Sequence, residues 1–299
     1  MTKPAPSRTA KVTRRVFLSA GVSALALGGI AAGVNAGVLP GRTTMYSLLG
    51  LDGPAGAIPH IADVPLVAGS FVSAKRKGIT TGWTVAAPAG ARNVPVVVAL
   101  HGFGGHHDSL FGNALGLDRF LAAHIAKGGR PIAIAAVDGG NRYWHPRRDG
   151  DDPAGMVVDE FIPRLNEMGF DTGRLAFTGY SMGGYGALRF GWKLGPERVK
   201  AVSALSPALW TTARAAASIA FDSPADYAAN DLYGRQSRLE VPVRIDCGTG
   251  DGFQSAVRAY VDGFPKHPAG GFEAGGHDYR FWRRLAPAHV AFLAEQLYS

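Results

Sequence analysis

From residue 82 onward, short β-branched and apolar runs alternate with segments of helical spacing. Residues 82–87 and 94–100 read as strands separated by a turn at Ala89-Gly90, and 131–137, 174–178, 199–205 and 241–247 read as further strands. Helical spacing covers 117–126, 156–168, 181–194 and 287–297, and the short stretch 271–273 fits one last strand. Strands alternating with helices in this way predict an α/β chain, with a mostly parallel central sheet covered by helices on both faces. One stretch breaks the rhythm. Residues 206–239 are long for a simple crossover and scatter Trp210, Phe221, Tyr227 and Tyr233 through alanine-rich sequence, so they read as an insertion or as a crossover helix with irregular flanks.

The first 80 residues follow a different pattern. Thr13-Arg14-Arg15-Val16-Phe17-Leu18 leads into an apolar, small-residue run that ends near Val34, and Val34-Asn35-Ala36 places small side chains where a signal peptidase needs them. Twin arginines before such a run are the pattern of a twin-arginine export signal, cleaved after Ala36. The alternative is a retained anchor through residues 16–34, because the run approaches the length needed to span a bilayer core of about 30 Å. Either reading puts the remainder of the chain outside the cytoplasm, secreted or associated with the cell envelope. Residues 37–80 are rich in Gly, Pro and Ala without a clear period and read as a connector that partly packs on a domain formed by 81–299.

Composition changes this picture little. The formal charge is +8, but Lys3, Arg8, Lys11, Arg14 and Arg15 all precede residue 37; without them 31 − 5 = 26 basic residues face 23 acidic ones, a net of +3. That field is too weak to suggest a nucleic-acid partner. The pairs Arg147-Arg148 and Arg283-Arg284 read as solvated surface, as do Asp149, Asp151 and Asp152, which lack the spacing of a calcium loop. A single cysteine, Cys247, rules out an intramolecular disulfide and ends an apolar run, which suits a buried, inert thiol.

The chemistry centres on Gly179-Tyr180-Ser181-Met182-Gly183, with a strand expected before it and a helix after it. A tight strand-to-helix turn of this kind holds its serine in a strained backbone and exposes the hydroxyl. Glycines on either side let neighbouring backbone come close, and the helix N-terminus sits beside a developing oxyanion. A serine hydroxyl needs a base, and after such a turn the chain order is serine, acid, histidine. His277, in Gly275-Gly276-His277-Asp278, is the leading base; His267 lies in a Pro-flanked loop and His289 within the closing helix. Asp251 directly follows the strand ending near Cys247 and is the leading acid, with Asp246 as rival inside the strand pattern and Asp262 too far along. Two backbone donors must hold the oxyanion. Met182 is one, and the turn His101-Gly102-Phe103-Gly104-Gly105 supplies the other, Phe103 or else Gly102. Tyr143 and Trp144 follow a strand end, where substrate-contacting loops occur, and are either pocket-lining residues or packing aromatics. This chemistry asks for no cofactor, and His101, His106, His107 and Asp108 lack a metal-ligand spacing.

On these residues the chain resembles the putative esterase (esterase D) family of the α/β-hydrolase superfamily. The resemblance runs from about 81 to 299 and rests on His101-Gly-Phe-Gly-Gly105, Asp159-Glu-Phe-Ile-Pro163, the stretch from Gly179 to Leu188, and Gly276-His-Asp-Tyr-Arg-Phe-Trp282. It implies an α/β-hydrolase fold, a triad of Ser181, Asp251 and His277, and a lid role for 206–239. The family includes S-formylglutathione hydrolases, feruloyl and acetyl-xylan esterases, and mycolyltransferases. Three functions follow as expectations: ester hydrolysis on a small-molecule, lipid or carbohydrate ester; acyl transfer to an envelope sugar or lipid; or binding without catalysis. The Ser-Met-Gly-Gly-Tyr-Gly-Ala sequence from Ser181 is closer to the hydrolase members.

Overall fold

The computed structural model describes residues 42–299; the leader at 1–36 and the first residues of the connector lie outside the described residues. Eight strands form one sheet: β1 (Leu66–Ser73), β2 (Ile79–Ala86), β3 (Pro95–Leu100), β4 (Ala133–Val137), β5 (Asp171–Tyr180), β6 (Ala201–Leu205), β7 (Val243–Gly248) and β8 (Ala269–Glu273). Their spatial order is β1-β2-β4-β3-β5-β6-β7-β8. The first two pairings are antiparallel and every later one is parallel. This is the α/β-hydrolase fold. In β3, β4 and β6 every residue is buried, which is why β3 and β4 read as unbroken apolar runs and β6 is interrupted only by Ser203, whose hydroxyl pairs with Thr178 at 2.7 Å.

The helices are α1 (Arg42–Leu48), α2 (Leu117–Ala126), α3 over 153–167, α4 (Met182–Leu194), α5 (Pro224–Asn230), α6 (Gln254–Asp262) and α7 (Tyr279–Leu297). They cover both faces of the sheet. One apolar layer packs α3, α4 and 206–239 on one face, and the other packs α2 and α7 on the opposite face. In α3 the turn Met156–Phe161 widens to a π-helix just ahead of Pro163. A proline cannot bond to the carbonyl four residues back and crowds it, and a locally widened helix accommodates both effects.

Three sequence expectations need correction. The connector is not without structure: it contains α1 and the whole of β1, so the sheet begins at Leu66, ahead of the boundary at 81. β1 is an edge strand with only Ser73 buried, so backbone pairing holds it and no alternation of apolar side chains announces it. The closing helix starts at Tyr279, not at Pro287. Asp278 caps it by accepting the Phe281 N–H at 3.0 Å, and Pro287 sits on its exposed face, where a carbonyl left without its donor reaches water. Finally, Asp151 and Arg147 are buried ion pairs, not solvated surface. Asp151 takes both Arg76 nitrogens at 2.9 and 3.1 Å, and Arg147 binds Asp222 at 3.1 and 2.7 Å. Both partners are about 75 residues away in sequence, beyond the reach of local pattern.

Candidate active site

β5 delivers Ser181 to the carboxyl edge of the sheet, and α4 starts at the next residue. Ser181 has φ 55° and ψ −121°, a strained region for a residue with a side chain. Its N–H donates to the Leu205 carbonyl at 2.9 Å, and its carbonyl accepts from Tyr185 and Ala208, both at 3.0 Å. The two flanking glycines are required by space. A Cβ on Gly179 would strike the Gly183 backbone, and one on Gly183 would strike the Leu100 carbonyl at the end of β3.

His277 arrives on the loop between β8 and α7. Its Nε2 lies 2.9 Å from Ser181 Oγ, and its Nδ1 lies 2.8 Å from Asp251 Oδ2. Asp251 is fully buried just beyond β7; its other oxygen accepts the Phe253 N–H at 2.8 Å. An acceptor carboxylate on Nδ1 assigns the proton to that nitrogen and leaves Nε2 as a base facing the hydroxyl. The imidazole is held between Phe253, at 5.3 Å, and Trp282, edge-on at 5.1 Å. Gly275 fits this loop under the Phe281 ring, and the Gly275 carbonyl accepts from Gly250 at 2.8 Å, tying the histidine loop to the acid loop. The sequence thus brings together Ser181, Asp251 and His277 across 96 and 26 residues of separation.

The rival residues have other partners. Asp246 lies inside β7, buried, and pairs with His289 Nε2 at 2.9 Å on the side of the sheet covered by α7. His267 bonds its Nδ1 to the Pro268 carbonyl at 2.9 Å, away from Ser181.

Met182 is the first residue of α4, so its N–H has no acceptor within the helix. Phe103 sits in a turn closed by Gly105 N–H to the Gly102 carbonyl at 3.0 Å, with Gly104 at φ 73°. Among the described residues neither the Met182 nor the Phe103 N–H is used in a hydrogen bond. The turn lies directly beside the nucleophile: a Cβ on Gly102 would come within 2.5 Å of the Tyr180 ring and 3.3 Å of Ser181 Cβ.

Tyr143 and Trp144 part company. Both have positive φ, at 54° and 55°, yet their rings have different neighbours. Trp144 is 1% exposed, donates Nε1–H to the His101 carbonyl at 3.3 Å and packs on Gly139 and Gly186. It anchors its loop beneath α4 and does not line a pocket, correcting one of the two expectations for it. Tyr143 joins an arc of rings: Phe103 at 6.5 Å, Tyr143, Trp210 at 5.6 Å from it, Phe253 at 5.5 Å further on, and then His277. Burial pushes the Tyr143 hydroxyl up to about 12, so it stays protonated. Trp210 belongs to 206–239, which carries α5 and packs on α4 and the 141–148 loop. Tyr185 Oη–H donates to the Asn230 carbonyl at 3.0 Å, and His145 Nε2 lies 2.9 Å from the Ala220 carbonyl.

Several residues were not singled out from sequence. Phe253 had one local sign: an Asp two residues before a backbone N–H partner, as in the Asx-turn of Asp251-Gly252-Phe253. Asn141 accepts the Gly104 N–H at 2.6 Å, and α1 reaches the acid loop through Thr43 Oγ1–H, which donates to the Gly250 carbonyl at 3.0 Å. Neither left a local signal. Among the described residues no cluster of three or more His, Cys, Asp or Glu is placed to hold a metal ion.

The fold has many relatives. A ferulic acid esterase superposes with a TM-score of 0.66 at 19% identity, covering 79% of this chain and all (100%) of that one. An S-formylglutathione hydrolase from Agrobacterium tumefaciens gives 0.64 at 19% identity, covering 79% and 99%. The feruloyl esterase module from Clostridium thermocellum, complexed with sinapinate, gives 0.59 at 16% identity, covering 80% and 93%. No curated protein matches the sequence. The profile of the family described as Putative esterase matches residues 81–293, more than half the chain, and includes the Ser181 turn and both loops that meet it. The chain therefore belongs to the putative esterase family and is a serine ester hydrolase on the α/β-hydrolase fold.

Proposed function

We propose that this protein is an exported esterase that cleaves a carboxylic ester through an acyl-enzyme on Ser181. The observation that carries the reading is the continuous hydrogen-bonded chain from Ser181 Oγ through His277 to the buried Asp251. In the first half-reaction His277 Nε2 takes the hydroxyl proton as Oγ attacks the ester carbonyl. Asp251 keeps the proton on Nδ1 and stabilises the imidazolium as it forms. The N–H groups of Met182 and Phe103 hold the oxyanion, with the N-terminal end of α4 adding its partial positive charge. His277 then protonates the leaving alcohol. In the second half, His277 takes a proton from water, the hydroxide attacks the acyl carbon, and collapse frees the acid and restores Ser181.

The arc of Phe103, Tyr143, Trp210 and Phe253 runs from the oxyanion turn to His277, which favours an apolar or aromatic group on one side of the ester. The twin-arginine pattern before residue 37 supports export; a retained 16–34 segment would tether the enzyme to the membrane.

Fluorophosphonate labelling with peptide mapping, run beside p-nitrophenyl ester turnover, tests the reading. Label on Ser181 is expected, and Ser181→Ala should lose both label and at least about 10⁴-fold in kcat while unfolding at the same denaturant midpoint. A folded Ser181→Ala protein that still turns over would overturn it. Acylated sugar in place of free acid, with trehalose present, would reassign the acceptor. Cytoplasmic retention of an Arg14→Lys, Arg15→Lys variant checks export.

A further inference from the structure

His101 touches neither Ser181 nor His277, yet its ring is wired into the turn that faces them. Its Nδ1 lies 2.8 Å from the carbonyl oxygen of Gly102, and its Nε2 accepts the Gly139 N–H at 3.0 Å. An N–H pointing at Nε2 makes that nitrogen the acceptor, so the single proton of the neutral ring sits on Nδ1 and is donated to Gly102. The ring is buried, with Trp144 edge-on at 5.1 Å, and burial pushes its pKa down to about 4. It therefore stays neutral, and keeps this tautomer, at any pH where a histidine base can work.

The carbonyl that His101 holds belongs to the peptide that carries the Phe103 N–H. In a trans peptide the C=O and N–H point in opposite directions, so fixing one aims the other. Gly105 N–H also donates to this carbonyl, at 3.0 Å, but from within the same turn, whereas His101 ties it to the Gly139 loop outside the turn. Gly102 has no side chain to hinder rotation about its backbone, and a larger residue is excluded because Tyr180 and Ser181 are already in contact distance. The next peptide is pinned separately, through Gly104 N–H to Asn141 Oδ1 at 2.6 Å.

We propose that His101 is a positioning residue for the oxyanion hole, clamping the Gly102–Phe103 peptide so that the Phe103 N–H faces the oxygen of the carbonyl attacked by Ser181. The inference rests on the acyl-enzyme reading above and assigns His101 no contact with substrate. A donor aimed in advance acts on the transition state more than on the bound ester, so its loss should appear in kcat and not in KM.

The test uses the full-length enzyme, a p-nitrophenyl ester and an aryl trifluoromethyl ketone, whose hemiketal with a serine places an oxyanion in the hole. His101→Ala should lower kcat by about 10²–10³-fold, the range for loss of one oxyanion donor. KM should stay within about twofold, and ketone affinity should fall in parallel with kcat. His101→Asn puts an amide N–H near the Nδ1 position and should recover at least tenfold of the loss; His101→Gln reaches toward the Nε2 position and should not. If His101→Ala fails to fold, the Asn and Gln variants carry the comparison alone. Equal activity of those two, or a folded His101→Ala with unchanged kcat and ketone affinity, overturns the proposal. Ser181→Ala in the same assays separates the two ideas: its activity bears on the acyl-enzyme, whereas an inactive Ser181→Ala beside a fully active His101→Ala sinks only the clamp.

Discussion

Two aspartates near the end of β7 each hold a histidine, at 2.8 Å for Asp251 with His277 and 2.9 Å for Asp246 with His289. Pairing distance alone does not tell them apart; position in the strand does. Asp246 falls within β7, opposite Leu205 on one side and Gly271 on the other, whereas Asp251 lies on the loop beyond the carboxyl edge, where Ser181 emerges. Asp251→Asn should therefore lower kcat by about 10³–10⁴-fold with little change in stability, because the imidazole loses its fixed tautomer. Asp246→Ala should do the reverse. It leaves the buried His289 and the neighbouring Arg244 without their carboxylate, costing about 3 kcal/mol or more of stability, while kcat per folded molecule holds. Urea denaturation beside active-site titration checks both, and a slow but stable Asp246→Ala protein would exchange the two roles. The strand-versus-loop distinction was legible in the sequence because the apolar run stops at Cys247. The partner of His289 was not legible, since it depends on how α7 lies across the sheet. Nor was the parting of Tyr143 from Trp144, since it depends on partners distant in sequence: Phe103 and Trp210 for the one, Gly186 and the His101 carbonyl for the other.

Elements were legible where the backbone itself restricts the residue. At the turn from β5 to α4 the peptide groups of Gly179, Gly183 and Leu100 come too close for any Cβ, and this requirement surfaces in the sequence as Gly-x-Ser-x-Gly. Gly183→Ala should thus be far worse than an ordinary glycine-to-alanine change in a helix, which is favourable by roughly 1 kcal/mol. The new methyl group meets a backbone carbonyl in a buried strand and has no flexible side chain to displace. A net loss of about 3 kcal/mol, with kcat falling as α4 and Ser181 shift relative to β3, is the expected result. Thermal melts and ester turnover measure it, and a Gly183→Ala enzyme as stable and active as the parent would show that the close approach to Leu100 is not needed. Where the backbone is unconstrained, the pattern was silent. β1 exposes nearly all its side chains, and α1 buries none, so neither carried a period, although α1 holds the acid loop at Gly250. The pattern places the start of α7 about two turns too late because Pro287 resembles a helix start, and only its exposed position lets the helix run through it.

Across the described residues as a whole, burial has made three histidines unwilling to take a proton. His101 is pushed down from 6.5 to about 4, against the attraction of Asp138 and with the help of His106 and Arg76. His145, facing Asp226, Arg189 and Arg147, and His289, facing Asp246 and Arg244, are lowered by burial as well. In the unfolded chain all three titrate near 6.5. Between that pH and their folded values the unfolded state binds more protons than the folded one, so stability rises with pH through this window and falls as the solution is acidified. His101 alone contributes on the order of 3 kcal/mol, fully present above pH 6.5 and lost by about pH 4. Asp222, held low mainly by its hydrogen bonds from Arg147, adds a further loss only in stronger acid. Urea midpoints should accordingly fall steadily from pH 7 to pH 4.5. In His101→Asn, which has no proton to bind there, the slope should be shallower by nearly one proton. Midpoints that stay level over this range in the parent protein would mean that the buried rings are not neutral in the fold. The buried imidazole that aims the oxyanion turn is thus also a point at which acid loosens the domain. The clamp and the acid sensitivity have the same origin, a ring enclosed by Trp144 and the Gly139 loop where only its neutral form fits.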